Sequence, residues 1–355
     1  MSATPPPPHT AQQASLANNS PAVSAEEELT RLIFGFMVSR SIALAARLGI
    51  ADLLQDGPKS ADELAVATRT HERSLYRLLR ALAGAGVFSE EAGRRFALTP
   101  MGKLLGRNAS GGIGAFAEIF GTEWLWPVWG ELDYSVHTGK SAFELKHGTS
   151  FFNYLQENPP AGRIFHEGMT SFTSVFCDAV VRSYDFSGMR TLADVGGGHG
   201  YFLASILKHY PSMRGVLFDL ASVVKDAPPV LQAQGVADRV AIMAGDFFAA
   251  ARLNADAVIM KHIIHALADD QALAVLCNCR DTLPVGGKLL LVEMAVPQPN
   301  QPSIGKLLDL QMLAFMNSYE RTEREYADLL ERAGLTVGGV YPTKSPLSII
   351  ESRRD

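Results

Sequence analysis

The feature that most constrains the fold is an alternation of apolar, strand-like runs with helix-like runs, which begins near Arg190 and continues towards the end of the chain. The strand-like runs are TLADV, RGVLFDL, RVAIMAGD, ADAVIMKHII and KLLLVEMAV, and helical patterns such as GYFLASILKHY and DDQALAVLCNCRDTL lie between them. Repeated βα units predict a parallel sheet with helices on both faces. We therefore predict a doubly wound, Rossmann-like α/β domain over residues 189–355, whose last segments form an antiparallel hairpin.

Composition and pattern divide the preceding residues into three regions. Residues 1–25 are rich in Pro, Ser, Thr and Asn, so we expect a disordered tail. Residues 26–108 are predicted to contain a helix capped by Ser60, a second helix from Thr70 and a small hairpin, which is a mainly helical, winged-helix outline. Residues 109–188 are rich in aromatic side chains and are predicted to form helices that connect the domains and cover a substrate pocket.

The winged-helix outline leaves two interpretations open. In a DNA-binding regulator, the second helix would contact DNA through Arg73, Arg77 and Arg80. The formal net charge is -5, from 32 basic and 37 acidic side chains, and such a balance provides no field that attracts a polyphosphate. We therefore favour a packing or dimerisation module and expect no nucleic-acid partner.

Cysteine usage and hydropathy indicate the compartment. The three cysteines, Cys177, Cys277 and Cys279, lack zinc-site spacing and suit a reducing environment. No apolar run approaches the ~18–20 residues that span a bilayer. The N-terminal residues do not have the pattern of a secretory signal. We expect a cytoplasmic protein that does not bind a membrane.

A glycine-rich loop marks the predicted cofactor site. Residues 194–200 read DVGGGHG between a strand and a helix, where glycines let a ligand approach the backbone. Tyr201 stands where a dinucleotide-binding loop needs its third glycine, so a pyrophosphate is not indicated. Asp219 ends the next strand, where a carboxylate accepts from both ribose hydroxyls, and Asp246 and Phe247 follow the third strand. The combination predicts a nucleoside cofactor without phosphates, which fits S-adenosylmethionine (SAM).

Together these motifs point to a known family. The segments LADVGGGHG, VLFDL, GDFF, MKHIIHALADD, GGKLLLVEM and YERTEREY make the chain resemble the plant-type (class I) SAM-dependent small-molecule O-methyltransferases, in their bacterial natural-product branch. The resemblance extends from about residue 26 to the end and implies a homodimer formed through the N-terminal domain. It also implies that the methionine portion of SAM contacts Gly196, Gly198 and Lys261, the ribose Asp219, and the adenine Asp246 and Phe247, with Leu220 completing the set.

Three side chains form the predicted catalytic set. His265 follows the fourth strand, at the carboxyl edge where open α/β sheets bind ligands, and the neighbouring His262 is expected to be structural. Glu293 ends the apolar fifth strand, and Glu320 begins the ERTEREY segment. A histidine of pKa near ~6.5 can take the proton of a phenol of pKa near ~10 as the oxygen attacks. By the resemblance, His265 is the general base and the two glutamates flank it. We expect no metal ion, because the base is an imidazole and no carboxylate cluster suited to Mg²⁺ lies near the predicted cleft.

The expected reaction is therefore methylation of a hydroxyl on an aromatic secondary metabolite of phenolic, phenazine-like or polyketide type. The acceptor pocket is expected from two segments whose methionines and aromatic rings can clamp a planar molecule. The residues that match the family pocket are Phe165, Met169, Phe172, Met312, Phe315 and Met316, and a core role is the alternative for each.

Departures from the family pattern keep another activity open. Ala266 and Leu267 follow the predicted base, where the family commonly has Asp and Trp. Some relatives retain the fold and the SAM site without methylating, so a SAM-binding protein with other chemistry, such as hydroxylation or decarboxylation, is the second interpretation. Asp269, two residues beyond Leu267, is expected to cap a helix.

Overall fold

The protein is described from a computed structural model, which covers residues 24–107, 109, 111–249 and 251–355. Most of the predicted tail, residues 1–25, lies outside the described residues. The chain divides into two compact units between Met37 and Val38. The three domain boundaries predicted from the sequence stay predictions.

The first unit is helical. α1 (Ala25–Ile33) begins with a capping box, in which Ser24 Oγ accepts the N–H of Glu27 and the Glu27 carboxylate accepts the N–H of Ser24. α2 (Gly35–Arg47) starts in this unit. No single described helix is long and apolar enough to cross a bilayer, although α1 and α2 pass that test as a bent pair, by length and composition only. Several large apolar side chains are exposed here: Leu29, Leu32, Ile33, Phe36 and Met37.

The second unit begins with a small helical region. Its helices and strands are α3 (Ile50–Leu53), β1 (Lys59–Ser60), α4 (Ala61–Thr68), α5 (Glu72–Gly84), β2 (Phe88–Glu91), β3 (Arg95–Leu98) and α6 (Pro100–Lys103). The strands form an antiparallel sheet in the order β1-β3-β2. Ser60 caps α4 as predicted, because its Oγ accepts the N–H of Glu63 at 3.1 Å. α5 starts at Glu72 rather than at Thr70, since His71 is extended and takes the N-cap position. The winged-helix assignment itself stays a prediction.

Helices also make up the region before the large sheet. They are α7 (Gly114–Ile119), α8 (Trp126–Trp129), α9 (Leu132–Thr138), α10 (Ala142–His147), α11 (Phe151–Glu157) and α12 (Pro159–Ser183). Their aromatic residues form a core cluster, in which Trp124, Phe143 and Phe151 pack with Phe315 from the C-terminal part of the chain. Much of the aromatic richness seen in the sequence is therefore used for packing.

The large sheet has seven strands, in the order β6-β5-β4-β7-β8-β10-β9. They are β4 (Thr191–Val195), β5 (Arg214–Asp219), β6 (Val240–Ala244), β7 (Ala257–Lys261), β8 (Lys288–Glu293), β9 (Thr336–Pro342) and β10 (Ser348–Arg353). The helices between them are α13 (Tyr201–His209), α14 (Ala221–Val224), α15 (Ala227–Ala233), α16 (Asp269–Thr282), α17 (Ile304–Met316) and α18 (Glu323–Arg332). β4 to β8 are parallel and β10 is antiparallel to its neighbours. The predicted doubly wound sheet with a terminal hairpin is confirmed.

The sheet is buried on both faces. Val258 and Ile259 are successive residues of β7 and belong to different core clusters, as the two-residue period of a strand requires. The strand order reverses between β4 and β7, and ligands of open α/β sheets bind in the crevice at such a point. The predicted cofactor and catalytic residues follow the carboxyl ends of these central strands.

Candidate active site

The loop after β4 has the geometry of a ligand cradle. Gly196 and Gly198 adopt positive φ angles of 71° and 59°, which side chains other than glycine rarely adopt. A Cβ atom added to Gly196 would lie 2.4 Å from Cδ1 of Ile263, so the loop packs tightly there. A Cβ added to Gly198 would meet nothing within 4 Å, so this side of the loop is open. A ligand that approaches the backbone fits at Gly198.

Asp219, at the end of β5, is tied to this loop. Its Oδ2 accepts the N–H of Gly198 at 2.8 Å, and its Oδ1 accepts the N–H of Leu220 at 2.7 Å. Burial raises the pKa of the Asp219 carboxyl, while the two backbone hydrogen bonds act in the opposite direction. Each oxygen of a carboxylate can accept more than one hydrogen bond, so Asp219 keeps acceptor capacity for a ligand hydroxyl.

The residues predicted to hold the adenine lie beside the glycine loop. Phe247 is half-buried, and its Cε1 is 3.8 Å from a Cβ placed on Gly196. Asn278 donates its side-chain amide to the carbonyl oxygen of Phe247 at 3.1 Å and so holds the loop after β6 against α16. Asp246 is exposed and its Oδ1 accepts the N–H of Phe248. The three predicted cofactor segments therefore meet at one edge of the sheet.

Lys261, at the end of β7, lies among buried charges. Burial lowers the pKa of Lys261, opposed by the charges of Asp194 and Glu293. Burial raises the pKa of Asp194 to about 7, and its Oδ2 has no hydrogen-bond partner among the described residues. The charges of Lys261 and Asp194 thus influence each other, and the predicted contact of Lys261 with the carboxylate of SAM stays a prediction.

His265 lies in a 3-10 turn, Ile264–Ala266, directly beyond β7. Its Nδ1 is 2.5 Å from Oε1 of Glu320, and both side chains are buried. A carboxylate accepts only, so Nδ1 carries the proton and Nε2 is left as the basic nitrogen. Burial by itself disfavours the imidazolium, but the charges of Glu320 and Glu293 outweigh it and raise the pKa of His265 above its ordinary value.

Glu293 lies near His265, with a ligand atom of each side chain within 4.8 Å, and it also supports the turn that carries His265. Its Oε1 accepts the backbone N–H groups of Ile263 at 3.2 Å and Ile264 at 2.9 Å, so it holds the turn that carries His265. Its Oε2 is 3.6 Å from Nδ1 of His262. The carboxylate is fully buried, and burial raises its pKa to about 7. Of the two predicted acids, only Glu320 hydrogen-bonds His265.

Arg321 is a functional residue that sequence reasoning missed. It is 1% exposed, and its guanidinium donates to the carbonyl oxygens of Ile264 at 2.9 Å and Leu267 at 2.8 Å, on either side of His265. It also pairs with Asp269 at 2.7 Å. Asp269 is therefore the partner of Arg321 rather than a helix cap, and Ala268 takes the N-cap position of α16. The signal was the arginine directly after Glu320 in ERTEREY.

Arg321→Met is expected to lower the free energy of unfolding by about 2–6 kcal/mol, because it leaves two buried carbonyl oxygens without donors at roughly 1–3 kcal/mol each. Urea unfolding of the full chain measures this. Arg324→Met is the matched control, since Arg324 is exposed in the same segment. Equal losses in the two variants would contradict a structural role for Arg321.

His262 is the second residue whose environment the sequence did not reveal. Its φ angle is 55°, an unusual backbone conformation for a residue with a side chain. Both ring nitrogens are buried and have no hydrogen-bond partner within the described ranges. Its ring centroid is 4.9 Å from that of His265 and 6.0 Å from that of Phe172. Burial lowers its pKa well below the ordinary value, which favours the neutral ring.

The predicted acceptor residues fall into two groups. Phe165, Met169 and Phe172 lie on α12, where Phe172 stacks on Phe116 at 4.3 Å and approaches His262. Met312, Phe315 and Met316 lie on α17. Phe315 is 1% exposed and packs in the aromatic core cluster. Contact of these residues with an acceptor stays a prediction, as do all the ligand contacts.

The site combines an open glycine loop, which is tied to a strand-end carboxylate, with a buried imidazole–carboxylate pair. This is the arrangement of a SAM-dependent methyltransferase of the α/β class. The profile of the O-methyltransferase domain matches residues 129–336, and the profile of the O-methyltransferase dimerisation domain matches residues 30–108. The chain belongs to the O-methyltransferase family, and the predicted family and enzyme class are confirmed.

Individual relatives are similar in sequence to this chain over nearly its whole length. The phenazine O-methyltransferase PhzM of Lysobacter antibioticus is 39% identical, over 95% of this chain and 98% of that protein. The mitomycin biosynthesis 6-O-methyltransferase of Streptomyces lavendulae is 35% identical, over 93% of this chain and 95% of that protein. The crystal structure of LaPhzM superimposes with a TM-score of 0.90 at 38% identity, over 94% of this chain and 100% of that one. Some relatives carry the names of N-methyltransferases.

Proposed function

We propose that this enzyme transfers the methyl group of SAM to a hydroxyl on an aromatic natural product, with His265 as general base. The observation that carries the proposal is the buried pair of His265 and Glu320 at the carboxyl edge of β7. A phenol of pKa near ~10 is mostly protonated at neutral pH, so its oxygen needs a base during attack. An amine acceptor has no such need, and for this reason we favour O-methylation over N-methylation.

The two residues of the pair have different tasks. His265 Nε2 accepts the proton of the acceptor hydroxyl, and Glu320 keeps the proton of the ring on Nδ1 and stabilises the imidazolium that forms. Glu293 and Arg321 are positioning residues, since both hold the backbone of the His265 turn. When bound, SAM supplies a methyl group that is already activated by its sulfonium.

The glycine loop and the strand ends are the proposed SAM site. A nucleoside with an amino-acid tail fits three features of this edge. They are the open side of Gly198, the carboxylate of Asp219 beside Leu220, and the ring of Phe247 near Gly196. Asp246 and Lys261 complete the set on the same sheet edge. A carboxylate and a flat aromatic face suit ribose hydroxyls and a purine, and Tyr201 stands where a dinucleotide-binding loop needs its third glycine.

An aromatic acceptor is supported by the side chains on α12 and α17 and by the names of the relatives, which refer to phenazine and mitomycin biosynthesis. A homodimer through the N-terminal residues is supported by the dimerisation profile over residues 30–108 and by the exposed apolar side chains of α1 and α2. Exposed apolar surface of this kind marks an interaction site.

The proposal is tested by incubating the full chain with SAM and a set of aromatic rings that each exist as a hydroxyl and as an amino form: a phenazine, a quinone and a simple benzene ring. We expect release of S-adenosylhomocysteine with an O-methyl product from at least one hydroxyl form, and a lower kcat/KM for its amino partner. NMR of the product identifies the methylated atom.

Two outcomes would contradict the proposal. SAM binding without release of S-adenosylhomocysteine on any ring would favour the non-methylating alternative. A higher kcat/KM for the amino form would make the enzyme an N-methyltransferase, in which His265 is not needed as a base.

A further inference from the structure

One buried group of side chains offers more ligand atoms than methyl transfer needs. His262, His265 and Glu293 each offer a ligand atom, and these atoms all lie within 4.8 Å of one another. Methyl transfer as proposed uses only His265 from this group as a base. His262, whose backbone conformation is unusual and whose ring nitrogens are unpaired within the described chain, has no task in it. Strained residues of this kind cluster at functional sites.

One pair of donor atoms has the spacing of two ligands on a transition-metal ion. Nδ1 of His262 and Oε2 of Glu293 are 3.6 Å apart, and two ligands on a tetrahedral zinc ion are separated by about 3.4 Å when the bonds are roughly 2.0–2.1 Å long. His265 offers the third ligand atom, within 4.8 Å of the other two, and Nε2 is the ring nitrogen that Glu320 leaves free. Two imidazoles and one carboxylate are a ligand set of catalytic zinc sites, which leave one position open.

Further hydrogen bonds orient the ligand side chains, as in natural metal sites. A metal-binding histidine usually donates its other N–H to a carboxylate, which fixes the ring, and Glu320 is in that place behind His265. Oε1 of Glu293 accepts two backbone N–H groups, so that Oε2 stays free, and Oε2 has no hydrogen-bond partner among the residues described. A bound cation would also give the buried carboxylates of Glu293 and Glu320 a counter-charge.

We propose that His262, His265 and Glu293 form a binding site for one divalent transition-metal ion of the zinc type, and that this ion inhibits the enzyme. Imidazole ligands select zinc, cobalt or nickel over magnesium, which prefers oxygen ligands. An ion on Nε2 of His265 occupies the atom that must accept the acceptor proton. Metal binding and methyl transfer therefore exclude each other.

The test uses the untagged full chain and Co²⁺ as a spectroscopic probe for zinc. We expect one Co²⁺ per chain with the intense visible absorption of low-coordinate Co²⁺, displaced by Zn²⁺. His262→Gln removes a ligand and is expected to weaken binding at least about 100-fold, and Glu320→Gln, which removes only the support behind His265, about 10–100-fold. His137→Gln is the matched control, because His137 is exposed beside Asp133 and accounts for surface binding.

Thermal unfolding provides a second measurement, since Zn²⁺ is expected to raise the Tm of the native chain but not that of His262→Gln. Each variant is first compared with the native chain without metal, and Glu320→Gln serves if His262→Gln does not fold. Two results would overturn the proposal. The first is a spectrum that shows only the weak absorption of octahedral Co²⁺. The second is Co²⁺ binding that His137→Gln removes and that the other two variants retain.

Inhibition of methyl transfer by Zn²⁺, reversed by a chelator, is the one arm that rests on the proposed function. The Co²⁺ spectrum needs neither SAM nor an acceptor. A chain that binds Co²⁺ at this site but releases no S-adenosylhomocysteine would refute the proposed function and leave the metal site standing. An active chain that does not give this Co²⁺ spectrum would refute the metal site and leave the proposed function standing.

Discussion

Replacing His265 with alanine is expected to lower kcat by about 10²–10⁴-fold, the usual contribution of a general base. The loss arises because the neighbouring imidazole cannot replace His265: both ring nitrogens of His262 are buried away from solvent. The Kd for SAM is expected to change little, since the SAM-binding residues lie on the glycine loop and at other strand ends. Steady-state kinetics and calorimetric titration with SAM measure the two quantities.

The matched control for this variant is His137→Ala, which removes an exposed imidazole on α9 and should leave both quantities unchanged. A structural role for His265 would show itself as parallel losses of SAM affinity, kcat and Tm. An unchanged kcat would remove His265 from the mechanism altogether, because a group that moves a proton in the transition state must affect the rate.

Glu320→Gln is expected to lower kcat by about 10²-fold or more while the KM for SAM stays within a few fold. The substitution keeps the size of the side chain, but the neutral amide no longer stabilises the imidazolium, and its NH₂ group can favour the wrong tautomer of His265. Loss of a charge that faces His265 at 2.5 Å therefore acts on the transition state more than on SAM binding. The split between kcat and KM distinguishes this positioning role from a general structural defect.

Glu323→Gln is the control for Glu320→Gln, because Glu323 is exposed in the first turn of α18. Glu320→Asp adds a second comparison: it keeps the charge but shortens the side chain, so it should recover part of the lost kcat. A normal kcat in Glu320→Gln, with the Tm unchanged, would contradict the proposed pair.

Parts of the site were predictable because they depend on local pattern. β4 and the glycine loop can be read from TLADV followed by GGGHG, since an apolar strand-like run that ends in glycines indicates a strand and then a tight turn. Asp219 could be placed at the same edge because parallel strands have their carboxyl ends together. Element ends were less certain: the N-cap at His71 moved the start of α5 by two residues, since capping is decided by side-chain and backbone geometry at single positions.

The order of strands and helices, the family and the candidate residues His265, Glu293 and Glu320 came from the sequence by itself, because hydrophobic period and motif spacing are properties of neighbours along the chain. Only the tertiary structure showed that Glu320 binds His265 across 55 residues, that Glu293 holds the backbone of Ile263 and Ile264, and that Arg321 reaches Ile264 and Leu267. The contacts of Glu320 and Arg321 depend on how the segment after α17 packs on the turn after β7, and that of Glu293 depends on the pairing of β8 with β7. Hydrogen bonds between distant segments require distances and directions that no local pattern contains.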